Sequence, residues 1–127
     1  MLANYEVVAT MPAVDIERAV NFYTNVLGLA LLMRDGDSAT FEAGQGSKIF
    51  MYQREGTKAE HTAVTFNVPD LERVVDGLIQ KGVVFEQYDF GEIKTDARGI
   101  ASMDDGQAAW LTDPEGNILA LVSMPEN

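Results

Sequence analysis

Val14-Asp15-Ile16-Glu17-Arg18-Ala19-Val20 returns 55 residues later as Pro69-Asp70-Leu71-Glu72-Arg73-Val74-Val75. Self-similarity at a fixed offset signals a structural repeat. Each copy follows an apolar, strand-like run, at 5–11 before the first and 62–68 before the second. Each copy also opens a helix. Asp15 and Asp70 are suited to cap it, because an Asp carboxylate accepts a bond from an unpaired amide of the first turn. Ile16, Ala19, Val20, Tyr23, Val26 and Leu27 fall on one helical stripe, as do Leu71, Val74, Val75, Leu78 and Ile79. Gly28 and Gly82 stand where a helix stop favours a left-handed residue.

Three short strands are expected after the first helix, at 29–34, 38–43 and 48–53. Asp35-Gly36-Asp37 and Gly44-Gln45-Gly46 break them with hairpin-like turn chemistry. After the second helix the expected strands are 83–88, 99–103, 108–112 and 117–124. Each half therefore reads β-α-β-β-β, the second with the strand at 117–124 added to close the chain, and the polar stretch 53–60 links them. One such unit cannot bury both faces of its sheet. Two can, with helices outside and the inner sheet faces around a cleft. The expectation is an α+β fold of two βαβββ modules, about 1–55 and 56–127, within a single domain spanning 1–127.

Composition bounds the function. A chain of 127 residues, 46% of them apolar, is one domain by length and can bury a real core. It has no cysteine, so disulfides and thiol chemistry are excluded. Its apolar runs are short, and its first residues carry no basic segment followed by an apolar one, so a cytoplasmic protein is expected. Twenty Asp and Glu against nine Lys and Arg leave a net charge of −11. That argues against nucleic acid and against anionic membranes. The plainer reading of the acidity is solubility; the sharper one is a preference for a cationic ligand.

Several stretches resemble the vicinal oxygen chelate superfamily, which groups glyoxalases, bleomycin resistance proteins and ring-cleaving (extradiol) dioxygenases. Asp15 to Tyr23 followed by Val26-Leu27-Gly28 is similar to its first helix. Val68-Pro69-Asp70-Leu71-Glu72 and Gly82-Val83-Val84-Phe85-Glu86 are similar to its second. Trp110-Leu111-Thr112-Asp113-Pro114-Glu115-Gly116-Asn117-Ile118-Leu119 is similar to its last hairpin, where Pro presets φ and Gly tolerates a positive one. The resemblance implies the fold, a homodimer, and either an enzyme built around one divalent metal or, as in the bleomycin resistance branch, a binding protein without one.

The resemblance also implies where metal ligands would stand. Two positions lie seven residues before the capping Asp, at Val8 and Ala63. A third falls at Phe50, or Met51 one residue on, and a fourth at Ala120. None of these side chains carries an imidazole, carboxylate or thiolate donor. No metal and no cofactor are therefore expected. His61, the only histidine, lies two residues before Ala63 and so on its strand face. It could serve as a general base or ligand contact. The plainer reading is a strand-start histidine bonded to backbone or water.

Alternation places Glu6, Thr10, Lys48, Tyr52, His61, Thr65, Ile118 and Val122 beside the four donorless positions. The candidate ligand-binding set is Glu6, Val8, Phe50, Tyr52, His61, Ala63, Trp110 and Ala120. For Trp110 and Phe50 plain core packing is the competing reading. The long, glycine-punctuated stretch 89–106 is a candidate binding loop or lid, or else an ordinary excursion carrying an edge strand. Two functions follow. One is metal-independent binding of a mainly apolar or aromatic small molecule, cations preferred. The other is a glyoxalase- or dioxygenase-type enzyme whose metal site is shifted or completed by a partner.

Overall fold

The computed structural model describes residues 1–55 and 59–123, and the chain divides into two compact units, Met1–Thr57 and Lys58–Asn127. In the first unit β1 (Ala9–Ala13) leads into α1 (Ile16–Asn21), then β2 (Ala30–Asp35), β3 (Ser38–Glu42) and β4 (Lys48–Gln53). The sheet order is β1-β4-β3-β2. In the second unit β5 (Thr62–Asn67) leads into α2 (Leu71–Gln80). A small hairpin follows, β6 (Asp89–Phe90) and β7 (Ile93–Lys94), then β8 (Ile100–Met103), β9 (Gly106–Thr112) and β10 (Ile118–Ser123). The sheet order is β5-β10-β9-β8. Each repeat strand thus holds the same edge place: β1 runs parallel to β4, and β5 parallel to β10. These are two βαβββ modules, the second carrying an extra hairpin.

The first helix begins and ends as its sequence dictates. Asp15 accepts a bond from the Arg18 amide at 3.1 Å, which satisfies one otherwise unpaired donor of the first turn. The helix then widens into a π turn over Phe22–Val26. It stops at Gly28, whose φ of +82° lets the Leu29 amide reach back to the Tyr23 carbonyl at 2.9 Å. Asp70 does not cap α2 with its side chain. Its backbone (φ −100°, ψ 52°) lacks the extended geometry of Asp15 (φ −132°, ψ 104°). The carboxylate lies 3.8 Å from Arg73 instead.

Alternation along the strands builds each core. Met11, Ala13, Ala39, Phe41, Ile49 and Met51 are buried on the face that α1 covers, where Tyr23 stacks on Phe41 at 5.3 Å. Such a ring pair contributes about 0.5–1.5 kcal/mol beyond the area it buries. In the second unit Ala109, Leu111, Leu119 and Leu121 are buried with Leu71, Val75 and Leu78 of α2. Gln107, on the same face of β9, donates to Glu72 of α2 at 3.5 Å, which fixes the helix side of that sheet. Ile79, expected on the buried stripe, is 39% exposed.

Three expected elements differ. The run 5–11 becomes a strand only from Ala9, because β4 begins at Lys48 and its Ile49 pairs with Ala9, leaving nothing to pair with Tyr5. The segment 83–88 is extended but forms no ladder. One bond, from the Glu86 amide to the Trp110 carbonyl at 2.8 Å, holds it beside β9. The stretch 89–106 carries the edge strand that one of its two readings held, at Ile100–Met103, and adds an unexpected hairpin, β6 and β7, before it. In the 53–60 linker, Gly56, Thr57 and Lys58 lie outside the described residues, as does Met124 of the last expected strand. Among the described residues no helix is long and apolar enough to cross a membrane.

Candidate functional site

The even-numbered positions of β4 face away from α1. They bring Lys48, Phe50 and Tyr52 together with Thr40 and Ser38 of β3 and Thr10 of β1, all in register. Phe50 and Tyr52 are half-buried and near-parallel, with ring centres 6.5 Å apart and planes 18° apart. Two aromatic residues two apart on a strand present neighbouring faces on one side of a sheet. Val8, 37% exposed, stands just before β1. Glu6 lies farther out, its carboxylate 3.8 Å from the Lys48 ammonium. That contact is loose and Glu6 is 70% exposed, so it contributes little to stability.

In the second unit the helix-free face carries Ala108, Trp110 and Thr112 of β9, with Ala120 paired opposite Trp110 and Thr65 opposite Ala120. Ala120 is buried at 3% exposure, Trp110 is half-buried, and Ala63 and His61 are exposed. His61 precedes β5, where its neighbour Thr62 is the first paired residue. Within each unit, then, the expected residues of the strands share one sheet face. Glu6, Val8 and His61 lie just before the strands rather than on them.

Three residues outside the expected set join Trp110. The Tyr88 ring meets Trp110 edge to face at 5.3 Å, and Phe90 meets Tyr88 at 5.7 Å. Glu86 accepts a hydrogen bond from the Thr112 hydroxyl at 3.0 Å. Burial pushes the Tyr88 hydroxyl pKa upward, and the nearby Glu86 charge adds to it. The bond from the Glu86 amide to Trp110 sets this grouping, because it aligns the extended segment 83–88 with β9. No local signal in the sequence marks them, because the faces that Tyr88 and Phe90 present depend on how their segment aligns with β9.

A divalent metal does not fit the four positions that the resemblance marks for its ligands. The side chains of Val8, Phe50, Ala63 and Ala120 carry no donor atom. Among the described residues no three His, Asp or Glu side chains group closely enough to hold an ion. A cavity of about 440 Å³ opens elsewhere in the first unit, lined by Val14, Asp15, Glu17, Arg34, Gly36 and Gln53. It is polar and open to solvent, unlike the apolar clefts that enclose small organic molecules. None of the expected residues lines it.

A family model described as the glyoxalase, bleomycin resistance protein and dioxygenase superfamily matches residues 7–121. Comparison with curated protein sequences gives no match. Among solved structures the chain is similar to a bleomycin resistance determinant encoded on the transposon Tn5, with a TM-score of 0.72 and 19% identity over 96% of this chain and 99% of that one. It is similar to a bleomycin-binding protein complexed with bleomycin, with a TM-score of 0.69 and 20% identity over 96% and 99%. A mutant of the fosfomycin resistance protein FosX from Listeria monocytogenes, complexed with Mn(II) and a dihydroxypropylphosphonic acid, gives 0.67 and 11% over 95% and 92%. At these identities the likeness shows the fold, and the family match adds the lineage: the chain belongs to the glyoxalase, bleomycin resistance protein and dioxygenase superfamily.

Proposed function

We propose that the protein binds a mainly apolar or aromatic small molecule without a metal, on the helix-free faces of its sheets. One observation carries this reading: the positions that would ligate a metal are apolar, and half-buried aromatic rings stand beside them. Phe50 itself occupies one such position and lies alongside Tyr52. Trp110 pairs with Ala120, which occupies another. A water-ordering ion site is thereby replaced by surface that an apolar ligand covers, at roughly 25 cal/mol per Å² removed from water. The bleomycin-binding relative supports the reading, since it holds its ligand on the same fold.

The net charge of −11 supports a preference for cations over anions, and aromatic faces add about 0.5–2 kcal/mol of attraction for one. Lys48 opposes it on the first sheet. The protein acts as a homodimer in the cytoplasm. For the dimer, the support is β2, an edge strand exposed along its whole length, with Leu31, Leu32 and Met33 uncovered. Unpaired strand edges template association with another chain.

Calorimetry with a matched pair of aromatic ligands, one amine and one carboxylate, tests the binding reading. The amine binds more tightly, and Phe50→Ala or Trp110→Ala weakens it. Equal or tighter binding of the carboxylate overturns the charge preference. Affinity unchanged in both variants overturns the placement, and tight metal binding restores the enzyme reading.

A further inference from the structure

We propose that Tyr88, Phe90 and Trp110, with the Glu86 carboxylate beside them, form a subsite for an alkylammonium group. The proposal rests on the reading above and names the chemical group that the second sheet face takes. Three aromatic residues meet through Tyr88, with planes inclined 68° to Trp110 and 63° to Phe90. Rings inclined to one another turn faces in more than one direction, and aromatic faces attract cations. Phe90 is 61% exposed, far more than an aromatic serving only as core would be.

The carboxylate is placed and held. Glu86 accepts from the Thr112 hydroxyl, two residues from Trp110 on the same strand face. Glu86 and Tyr88, two apart along an extended segment, share that face. The backbone is tied on both sides of the Tyr88 ring. The Tyr88 amide donates to the Thr95 hydroxyl at 2.9 Å, and the Thr95 amide donates to the Tyr88 carbonyl at 3.0 Å. Asp89 and Glu92 on the same hairpin outnumber Lys94, which pairs across from Asp89. Bulky methylated ammonium groups suit such a place better than a primary amine, because they shed water cheaply and lie against aromatic faces.

Trp110 is the only tryptophan, so its fluorescence reports directly on the subsite. Choline and its uncharged carbon isostere 3,3-dimethylbutan-1-ol are titrated into the full chain, with benzyl alcohol as a neutral aromatic probe. Choline is expected to bind about 3- to 30-fold more tightly than the isostere. Glu86→Gln, which keeps shape and an acceptor for Thr112, and Phe90→Leu, which keeps apolar bulk, each shrink that ratio. Cooperative melting of both variants confirms that they fold. If the isostere matches choline, or if neither variant changes the ratio, the subsite is refuted. If benzyl alcohol also fails to bind, the underlying reading of this sheet face fails with it. Benzyl alcohol binding without a choline preference sinks the subsite alone.

Discussion

Gly99 leaves no room for a side chain, and replacing it with alanine gives a prediction of definite size. Gly99 has φ +89°, and a Cβ built there lies 2.5 Å from Cβ of Phe85 and 3.2 Å from the Glu86 carbonyl oxygen. Phe85 is buried and its Cβ is fixed to the backbone, so no rotamer change relieves the contact. The chain itself must shift, in the segment that aligns Glu86 and Tyr88 with β9. Two costs combine. Left-handed backbone costs a non-glycine residue about 1–2 kcal/mol, and overpacking a filled site costs about 1–3 kcal/mol. Gly99→Ala should therefore lose roughly 2–5 kcal/mol, a large share of the ~5–15 kcal/mol that holds a small domain folded. Gly28→Ala separates the terms: its φ is +82° but nothing lies within 4 Å of the added carbon, so strain alone applies. Gly77→Ala, inside α2 with open space and an ordinary φ, should stabilise by about 0.5–1 kcal/mol. Urea unfolding of the three variants gives the ranking. A Gly99→Ala cost no greater than that of Gly28→Ala would refute the close approach of Phe85.

Two further outcomes follow from the charges and the sheet edge. Arg98 bonds Glu72 at 2.6 Å and Asp76 at 3.1 Å, tying the turn before β8 to α2. Its hydrogen bond holds the Glu72 carboxyl below the usual range, and the Ile100 amide does the same for Asp96. Depressed carboxylate pKa values give stability that is full above the ordinary values and lost as pH falls through the lowered ones. The melting temperature of the wild type should therefore fall more steeply below about pH 4.5 than that of Arg98→Ala, which has already lost the Glu72 contribution; parallel curves contradict the assignment. For the homodimer, light scattering should give twice the 13.9 kDa chain mass, and Leu32→Glu on β2 should return it toward 13.9 kDa. A wild-type mass of one chain at micromolar concentration contradicts the dimer.

Local chemistry made the repeat frame legible. The Asp15 cap and the left-handed Gly28 and Gly82 need only neighbours a few residues away, so sequence marks them directly. The strand β4 spans Lys48–Gln53, matching the alternation between two turn signals. The segment 83–88 reads as a strand too, but strand pairing is decided by a distant partner. Here β9 offers it one bond before Gly91, with φ +60°, turns the chain into its own hairpin. The same long-range alignment hides the Tyr88–Trp110 contact, which joins residues 22 apart in sequence. Trp110 was legible as a candidate from its place in the last hairpin. Tyr88 and Phe90 were not, because their faces depend on that alignment. Glu6 and Val8 fall within a strand-like run of the sequence, whereas β1 begins only at Ala9, where its pairing with β4 begins.

The central claim is binding without a metal. Calorimetric titration of an aromatic amine into chelator-treated protein, repeated with Zn²⁺, Ni²⁺ or Fe²⁺ restored, tests it most directly. The account predicts one affinity in all conditions, weakened by Phe50→Ala and Trp110→Ala and unchanged by His61→Ala. Binding that appears only with metal present, and disappears in His61→Ala, would contradict it.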